Sequence, residues 1–264
     1  MLDHSSHDEF TEYYARQNTR DDFIRNFRTL RDTLLAVIGP ERAKQGLDVI
    51  DIGCNAGASS FVWAEIGHRV AGLDINEPLL TIARERAAAA GYRIDFRLGS
   101  ATELPWPDGS CDVCMVPELL EHVVDWQRCL DEFCRVLRPG GVLYISTTNW
   151  LCPIQAEFRL PLYSWYPPPL KRHFERLAAT TRPDLANYAK FPAVNWFSYF
   201  GLRAALARRG LRAIDRFEAT SMRQDLDATK RLALAVLRIL PPVRLLAHIV
   251  SRGTRVIGIK LPAA

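Results

Sequence analysis

LDVIDIGCNAGASSFVWAEIGHRVAGLD, residues 47–74, holds two short apolar runs, 47–52 and 69–74, joined by a glycine-bearing turn and a helix-compatible segment. Glycines between a parallel strand and a helix let the backbone turn tightly and approach a ligand without Cβ interference. Asp74 ends the second run, where an acid accepts hydrogen bonds from a ribose. Nucleotide-like binding follows from this order of elements. The spacing narrows it: a dinucleotide fingerprint is G-x-G-x-x-G, whereas this chain has Gly53-x-x-x-Gly57 behind Asp51 and no phosphate-loop lysine. Asp51 has the wrong charge for a pyrophosphate and the right one for a cationic amino-acid group. The competing reading is a bare glycine-rich turn of another α/β protein.

The arrangement D-I-G-C-N-A-G resembles the first motif of the Rossmann-like, S-adenosylmethionine-dependent methyltransferases. The resemblance covers residues 47–148. It implies a doubly wound, seven-stranded, mostly parallel α/β sheet with an antiparallel strand seven, elaborated by helical and irregular cap insertions. It also implies that Gly53, Cys54, Asn55 and Gly57 lie under the methionine part of the cofactor, with Asp51 near its amino group. Asp74 then takes the ribose hydroxyls and Ile75 borders the adenine. Gly99-Ser100-Ala101-Thr102-Glu103-Leu104-Pro105-Trp106 resembles the family's G-D-A-E-x-L-P-F, with Ser100 replacing an acid. Ser100, Ala101 and Thr102 are therefore adenine-side candidates, with Trp106 as a cover.

Composition bounds the alternatives. The chain has 264 residues, 48% of them hydrophobic, which excludes a disordered protein and suits one large domain with insertions. Thirty-four Lys and Arg against 30 Asp and Glu leave a net charge of only +4, without the basic stripe that nucleic acid requires. Cys54, Cys111, Cys114, Cys129, Cys134 and Cys152 lack a repeated paired spacing and read as buried thiols rather than zinc ligands. The opening MLDHSSHDEF lacks the basic and apolar regions of a signal peptide, so the expectation is a cytoplasmic protein.

Four regions are expected: an N-terminal helical cap (1–40), a cofactor-binding core (41–148), a substrate-lid insertion (149–198), and the rest of the core (199–264) with an apolar helical insertion at 220–252. Apolar residues at 23, 27, 30, 34, 35 and 38 predict an amphipathic helix stopped by Gly39-Pro40. It packs on the sheet edge or covers the substrate mouth. Strands are predicted at 47–52, 69–74, 93–98, 112–116, 142–147, 211–217 and 254–259, and helices at 58–66, 77–90, 125–137 and 199–209. Arg138-Pro139-Gly140-Gly141 reads as a helix stop and tight turn. The segment 232–250, LALAVLRILPPVRLLAHIV, carries two arginines, a histidine and a Pro-Pro pair, so it reads as two short helices rather than a span. It packs as a cap, forms a homodimer, or rests peripherally on a membrane.

Beyond the fourth strand, Val116-Pro117-Glu118-Leu119-Leu120-Glu121-His122-Val123 follows the sheet's carboxyl end, where the methyl donor should meet the acceptor. Val116 closes the cofactor side. Glu118, Glu121 and His122 share a face if the segment is helical. The E-x-x-E-H pattern resembles the ubiquinone-biosynthesis O-methyltransferases and the small-RNA methyltransferases that hold a divalent ion. Two readings stay open: Glu118, Glu121 and His122 hold Mg²⁺ or Mn²⁺, or His122 and Glu118 act without metal as base and partner. His173 is a second candidate base, Asn149 keeps a pocket-facing position, and Tyr14 belongs to a segment lying over the cofactor or merely packing. Trp150, Tyr163, Trp165, Tyr166, Trp196 and Tyr199 are expected to wall the pocket. The acceptor is then a small molecule of aromatic, sugar or lipid character. The first functional reading is O-methylation of a natural-product or cell-envelope glycan or lipid intermediate. N-methylation of an amine is the second and RNA methylation, disfavoured by the missing basic stripe, the third; a cofactor-binding scaffold without catalysis is the reading from another class.

Overall fold

The computed structural model describes residues 8–155, 157–186 and 193–262. Residues 1–7 of the expected N-terminal cap, 156 and 187–192 of the expected lid, and 263–264 lie outside the described residues. In chain order the elements are α1 (Asp8–Gln17), α2 (Asp21–Ile38), α3 (Pro40–Ala43), β1 (Asp48–Ile52), α4 (Ala58–Ala64), β2 (Arg69–Asp74), α5 (Glu77–Ala89), β3 (Ile94–Leu98) and β4 (Cys111–Pro117). They continue as α6 (Trp126–Val136), β5 (Leu137–Thr148), α7 (Pro168–Thr180), α8 (Tyr199–Ala207), β6 (Leu211–Asp215), α9 (Arg216–Ser221), α10 (Ala228–Ile239), α11 (Pro241–Ile249) and β7 (Gly253–Lys260).

The seven strands form one sheet in the order β3-β2-β1-β4-β5-β7-β6, and β7 alone runs antiparallel to its neighbours, as expected. Strand alternation sorts the apolar residues onto two faces. Val49, Val113, Met115 and Tyr144 pack with Leu34 of α2 and Trp63 of α4. Ile50, Ile52, Val116 and Ile145 pack with α6 and α8 through Phe133 and Leu202. α5 starts at the expected residue 77, where the Asn76 side chain accepts the Leu79 N–H at 2.9 Å and Pro78 sits in the first turn.

Three expectations change. Arg138-Pro139-Gly140-Gly141 does not precede β5 but is folded into it. Leu137 pairs with Cys111 and pairing resumes only at Val142 opposite Val113, so the intervening residues bulge out. The predicted 211–217 strand ends at Asp215, whose side chain accepts the Glu218 N–H at 2.9 Å and starts α9. The 232–250 segment does form two helices broken at the prolines, bent by 107°. It is not a cap, because none of its residues faces the main cavity.

At the amino ends of the strands, ion pairs seal the sheet. Asp112 accepts from Arg42 (2.7 Å), Arg138 (2.8 Å) and the Asp48 N–H (2.9 Å), while Asp48 pairs with Arg69 and Arg138. Charge-assisted bonds to a buried acid contribute about 1.5–3 kcal/mol each, discounted here because both arginines are about one-third exposed. Asp112→Ala should therefore lower unfolding free energy by roughly 1.5–3 kcal/mol. Because the network lies at the end of the sheet away from the cavity, ligand affinity should stay unchanged; chemical denaturation and calorimetry on one preparation check both.

Candidate functional site

At the carboxyl ends of β1, β2, β4 and β5 lies a cavity of about 1880 Å³. That exceeds the roughly 300–1,000 Å³ of a single small-ligand site, leaving room for a cofactor and an acceptor together. The turn after β1 is built by backbone geometry. Gly53 sits at φ +73°, its N–H and that of Cys54 both donating to Leu73 O. A Cβ on Gly53 would come within 3.3 Å of Leu119. Gly57, at φ +88°, begins α4, and a Cβ there would meet the Phe61 ring at 2.7 Å. Gly57 therefore shapes the turn and does not line the cavity.

Two acids face this turn. Asp74 Oδ2 accepts the Asn55 N–H at 2.8 Å and Oδ1 accepts the Asn76 N–H at 2.9 Å, which ties the loop to the start of α5. Each oxygen keeps a lone pair for a further donor. Burial raises the Asp74 carboxyl, against those backbone bonds. Asp51 is fully buried; Ser60 Oγ donates to Oδ2 at 2.7 Å, and Oδ1 has no hydrogen-bond partner among the described residues. Burial first, then the nearby Asp74 charge, pushes Asp51 up to about 7, against the Ser60 hydrogen bond. An orphaned carboxylate oxygen inside such a wall fits a cation, and the neighbouring Asp74 fits vicinal hydroxyls. The residues present thus fit S-adenosylmethionine, with Asp51 toward the ammonium and Asp74 toward the ribose.

The N-terminal segment completes this half. Asn18 Oδ1 accepts the Ala58 N–H at 3.0 Å, capping α4, and Arg86 donates to Ala15 O. Tyr13, Tyr14 and Asn18 thereby line the cavity, with Cys54, Asn55, Ile75, Ser100, Ala101 and Thr102 on other sides. Burial raises the Tyr14 phenol, with smaller contributions from nearby acids. Phe23 and Phe27, from the first half of α2, line the same space as expected of a helix at the substrate mouth, while Leu34 in its second half packs on the middle of the sheet face and not on its edge.

At the carboxyl end of β4, residues 118–122 form successive turns rather than a helix. Glu118 adopts φ +48°, a left-handed backbone costing about 1–2 kcal/mol, and its N–H bonds Ser146 O at 2.9 Å. Glu121 turns inward: Thr147 Oγ1 donates to it at 2.8 Å, and burial followed by the Glu118 charge raises its carboxyl well above the usual range. Burial first and Glu118 second bring Glu157 to about 7. His122 lines the cavity and is open to it, and the protein mass around the ring disfavours its charged form and lowers the imidazole to about 4. Glu118, Glu121 and His122 do not form a metal-ligand set; among the described residues no group of three acidic, His or Cys side chains could hold an ion. The turn geometry, unlike a helical face, ties Glu121 to Thr147 at the cavity wall and leaves His122 open to the cavity.

Other candidates fall elsewhere. Val116 is buried in the core on the opposite sheet face. His173 is exposed on α7, whose cavity side carries Pro169, Arg172, Glu175, Arg176 and Ala179. Asn149 is buried and donates to His248 O and Ser251 O, anchoring α11 instead of facing the pocket. Trp106 lies under Arg97 (5.3 Å) and off the cavity. The expected aromatic wall also lies outside it: Tyr163 stacks on Phe158 at 4.1 Å and packs with Tyr166 and Trp196 as a separate small core, and Tyr199 stacks on His248 at 4.7 Å. The aromatics on the cavity are Tyr13, Tyr14, Phe23, Phe27 and Tyr144. Its far side carries Ser146, Arg216 and Arg255, brought together because Ser146 on β5 pairs with Arg255 on β7. No local motif marks those three, nor Asn18 or Glu157.

A methyltransferase-domain family model matches residues 50–145, nearly the stretch carrying the motifs above. A probable S-adenosylmethionine-dependent methyltransferase of Mycolicibacterium smegmatis is 42% identical over 104 residues, spanning 39% of this chain and 39% of that protein. Demethylmenaquinone methyltransferase of Listeria monocytogenes is 29% identical over 211 residues, 74% of this chain and 87% of that protein. The S-adenosylmethionine-dependent methyltransferase from Mesorhizobium loti shares the fold with a TM-score of 0.53 at 19% identity, covering 86% of this chain and 95% of that one.

A cation beside Asp51 favours its ionised form, so binding should release a proton below the raised pKa of about 7. Affinity for S-adenosylhomocysteine, which keeps the ammonium, should therefore rise as pH increases from about 5.5 to 7 and level off above. The ligand-free protein shows the opposite sign: Asp51 binds its proton more tightly folded than unfolded, so its contribution to stability falls from about pH 4 to 7. Asp51→Asn should bind more weakly and lose this pH dependence. Calorimetry in buffers of different ionisation enthalpy measures the proton released; identical pH profiles for wild type and variant would place the cation elsewhere.

Proposed function

Because the chain belongs to the class I, Rossmann-like S-adenosylmethionine-dependent methyltransferases, we propose that it methylates a hydroxyl oxygen of a small molecule with aromatic or lipidic character. The observation that carries this reading is the His122 imidazole, neutral at physiological pH and exposed to the cavity at the carboxyl end of β4. When bound, the cofactor supplies a sulfonium-activated methyl group and leaves as the thioether. The protein's share is positioning and proton removal. Asp51 and Asp74 hold the donor's ammonium and ribose, and Gly53 gives its backbone room. His122 takes the hydroxyl proton as the oxygen gains the methyl group, and Glu118, fixed by Ser146, orients the acceptor beside it. Tyr13, Tyr14, Phe23, Phe27 and Tyr144 supply flat apolar walls for an aromatic or lipidic body.

One observation favours a second reading. Glu118, Glu121 and Glu157 line one cavity, where burial and then the Glu118 charge raise the Glu121 and Glu157 carboxyls, an arrangement that suits a protonated amine as acceptor. N-methylation would then need a carboxylate to take the departing proton.

Incubation with methyl-labelled cofactor and fractionated small-molecule extracts of the source identifies the acceptor. A labelled ether or ester supports oxygen transfer; a labelled amine supports the second reading; cofactor binding with no labelled product from any fraction supports a scaffold. With the acceptor in hand, His122→Ala should lower turnover by about 10²–10⁴-fold at unchanged S-adenosylhomocysteine affinity. The wild-type rate should fall on acidification below the ordinary histidine value, toward about 4, and that limb should vanish in the variant. Full turnover in His122→Ala would remove the imidazole from the chemistry.

A further inference from the structure

The α10–α11 hairpin stands apart from the cavity and is clothed in unpartnered apolar side chains. Of the 21 large hydrophobic side chains exposed among the described residues, eight lie between Leu232 and Val250. Leu232, Ile239 and Val250 are 67%, 72% and 65% exposed, and no residue of α10 is buried. On α10, Leu232, Val236 and Ile239 recur at helical spacing; Val243 and Leu246 on α11 and Val250 at its C-cap do the same. Scattered surface hydrophobics need no explanation, but a contiguous apolar face of this kind marks an interaction surface.

Charge identifies what covers it. No acidic residue occurs after Asp227, whereas the hairpin and its exit carry Lys230, Arg231, Arg238, Arg244 and Arg252. Lys230 and Arg244 are paired with Asp227 and Asp215. Arg238 and Arg252 have no acidic partner among the described residues. A second copy docking face to face would bring these cations against their own counterparts with no acid to meet them. An anionic lipid surface matches both the apolar face and its positive rim.

Length sets the mode of contact. At 1.5 Å per residue, α10 is about 18 Å long and α11 about 14 Å, and neither crosses a hydrocarbon layer of about 30 Å. The 107° bend lays both along a surface instead. The hairpin is also fixed to the enzyme. Burial opposes ionisation of Asp215, yet hydrogen bonds from His248 (2.9 Å) and Arg244 (2.7 Å) bring it down to about 2, keeping α11 docked on β6. Next along the chain, Arg216 donates to Ser251 and lines the cavity, so the hairpin's base borders the acceptor side of the site.

From this combination we infer that α10 and α11 dock the protein peripherally on an anionic phospholipid bilayer, apolar face inserted at the headgroup boundary and Arg231, Arg238 and Arg252 toward lipid phosphates. The inference is independent of the methylation chemistry.

The test is co-sedimentation of the full chain with vesicles of phosphatidylcholine alone and of equimolar phosphatidylcholine and phosphatidylglycerol. The wild type should partition onto the phosphatidylglycerol vesicles, weakly onto phosphatidylcholine, and less as salt rises from about 0.05 to 0.5 M. Ile239→Glu with Leu246→Glu should lower partitioning by about tenfold or more, at unchanged S-adenosylhomocysteine affinity, since neither side chain is in the core or at the cavity. Arg238→Glu should weaken only the phosphatidylglycerol binding. Absence of wild-type partitioning, or equal partitioning of the double variant, overturns the inference. So does a concentration-dependent dimer by light scattering that the double variant abolishes, since that makes a second copy the occupant.

Discussion

Two carboxylates buried side by side govern the functional half of this protein. Asp51 is the penultimate residue of β1 and Asp74 ends its neighbour β2, both shielded from water and both raised by that shielding. An uncompensated buried charge costs several kcal/mol, so its surroundings must answer it. Asp74 is answered by two backbone N–H groups, and those bonds fix the turn after β1 against the start of α5. Asp51 is answered only in part, by Ser60, and its unpartnered oxygen is a standing demand for a cation. The shape of this turn and its demand for a positive charge follow from the same burial.

The remainder divides by sheet end and by sheet face. At the amino ends, Asp48 and Asp112 pair both of their oxygens with arginines and one backbone N–H, so that end holds the sheet together. At the carboxyl ends, turns held by Ser146 and Thr147 carry Glu118, Glu121 and His122 around an open cavity. Alternation along β4 and β5 decides what reaches it. Val116 and Ile145 point into one core, while Tyr144 and Ser146 point to the other face, where the cavity opens. A shift of one residue in that register would exchange the two sets.

The insertions have a different architecture from the one their composition suggests. Aromatic-rich 149–198 buries Phe158 and Tyr163 in a small core of its own and offers the cavity mainly one face of α7. The apolar 232–250 segment turns outward, anchored at Asp215 and Asn149, and leaves its hydrophobic face uncovered. Aromatic composition says that surface will be buried, and leaves open whether against a ligand, a neighbouring helix or the same insertion.

The sequence by itself determined the sheet, the order of its elements, the cofactor class and the glycine turn at the end of β1. These rest on local causes: glycines at positive φ, an acid at a strand end, an Asn-x-Pro helix start, and short apolar runs of period two. Contacts between distant segments decided the rest. Glu118, Glu121 and His122 lie within five residues, yet one hydroxyl from β5 pulls Glu121 inward and leaves His122 on the cavity. Arg255 joins Ser146 only because β7 runs antiparallel beside β5, and Asn18 reaches Ala58 only because α1 folds back over the turn. Local propensity carries no information about such partners, because each is supplied by a residue tens to hundreds of positions away.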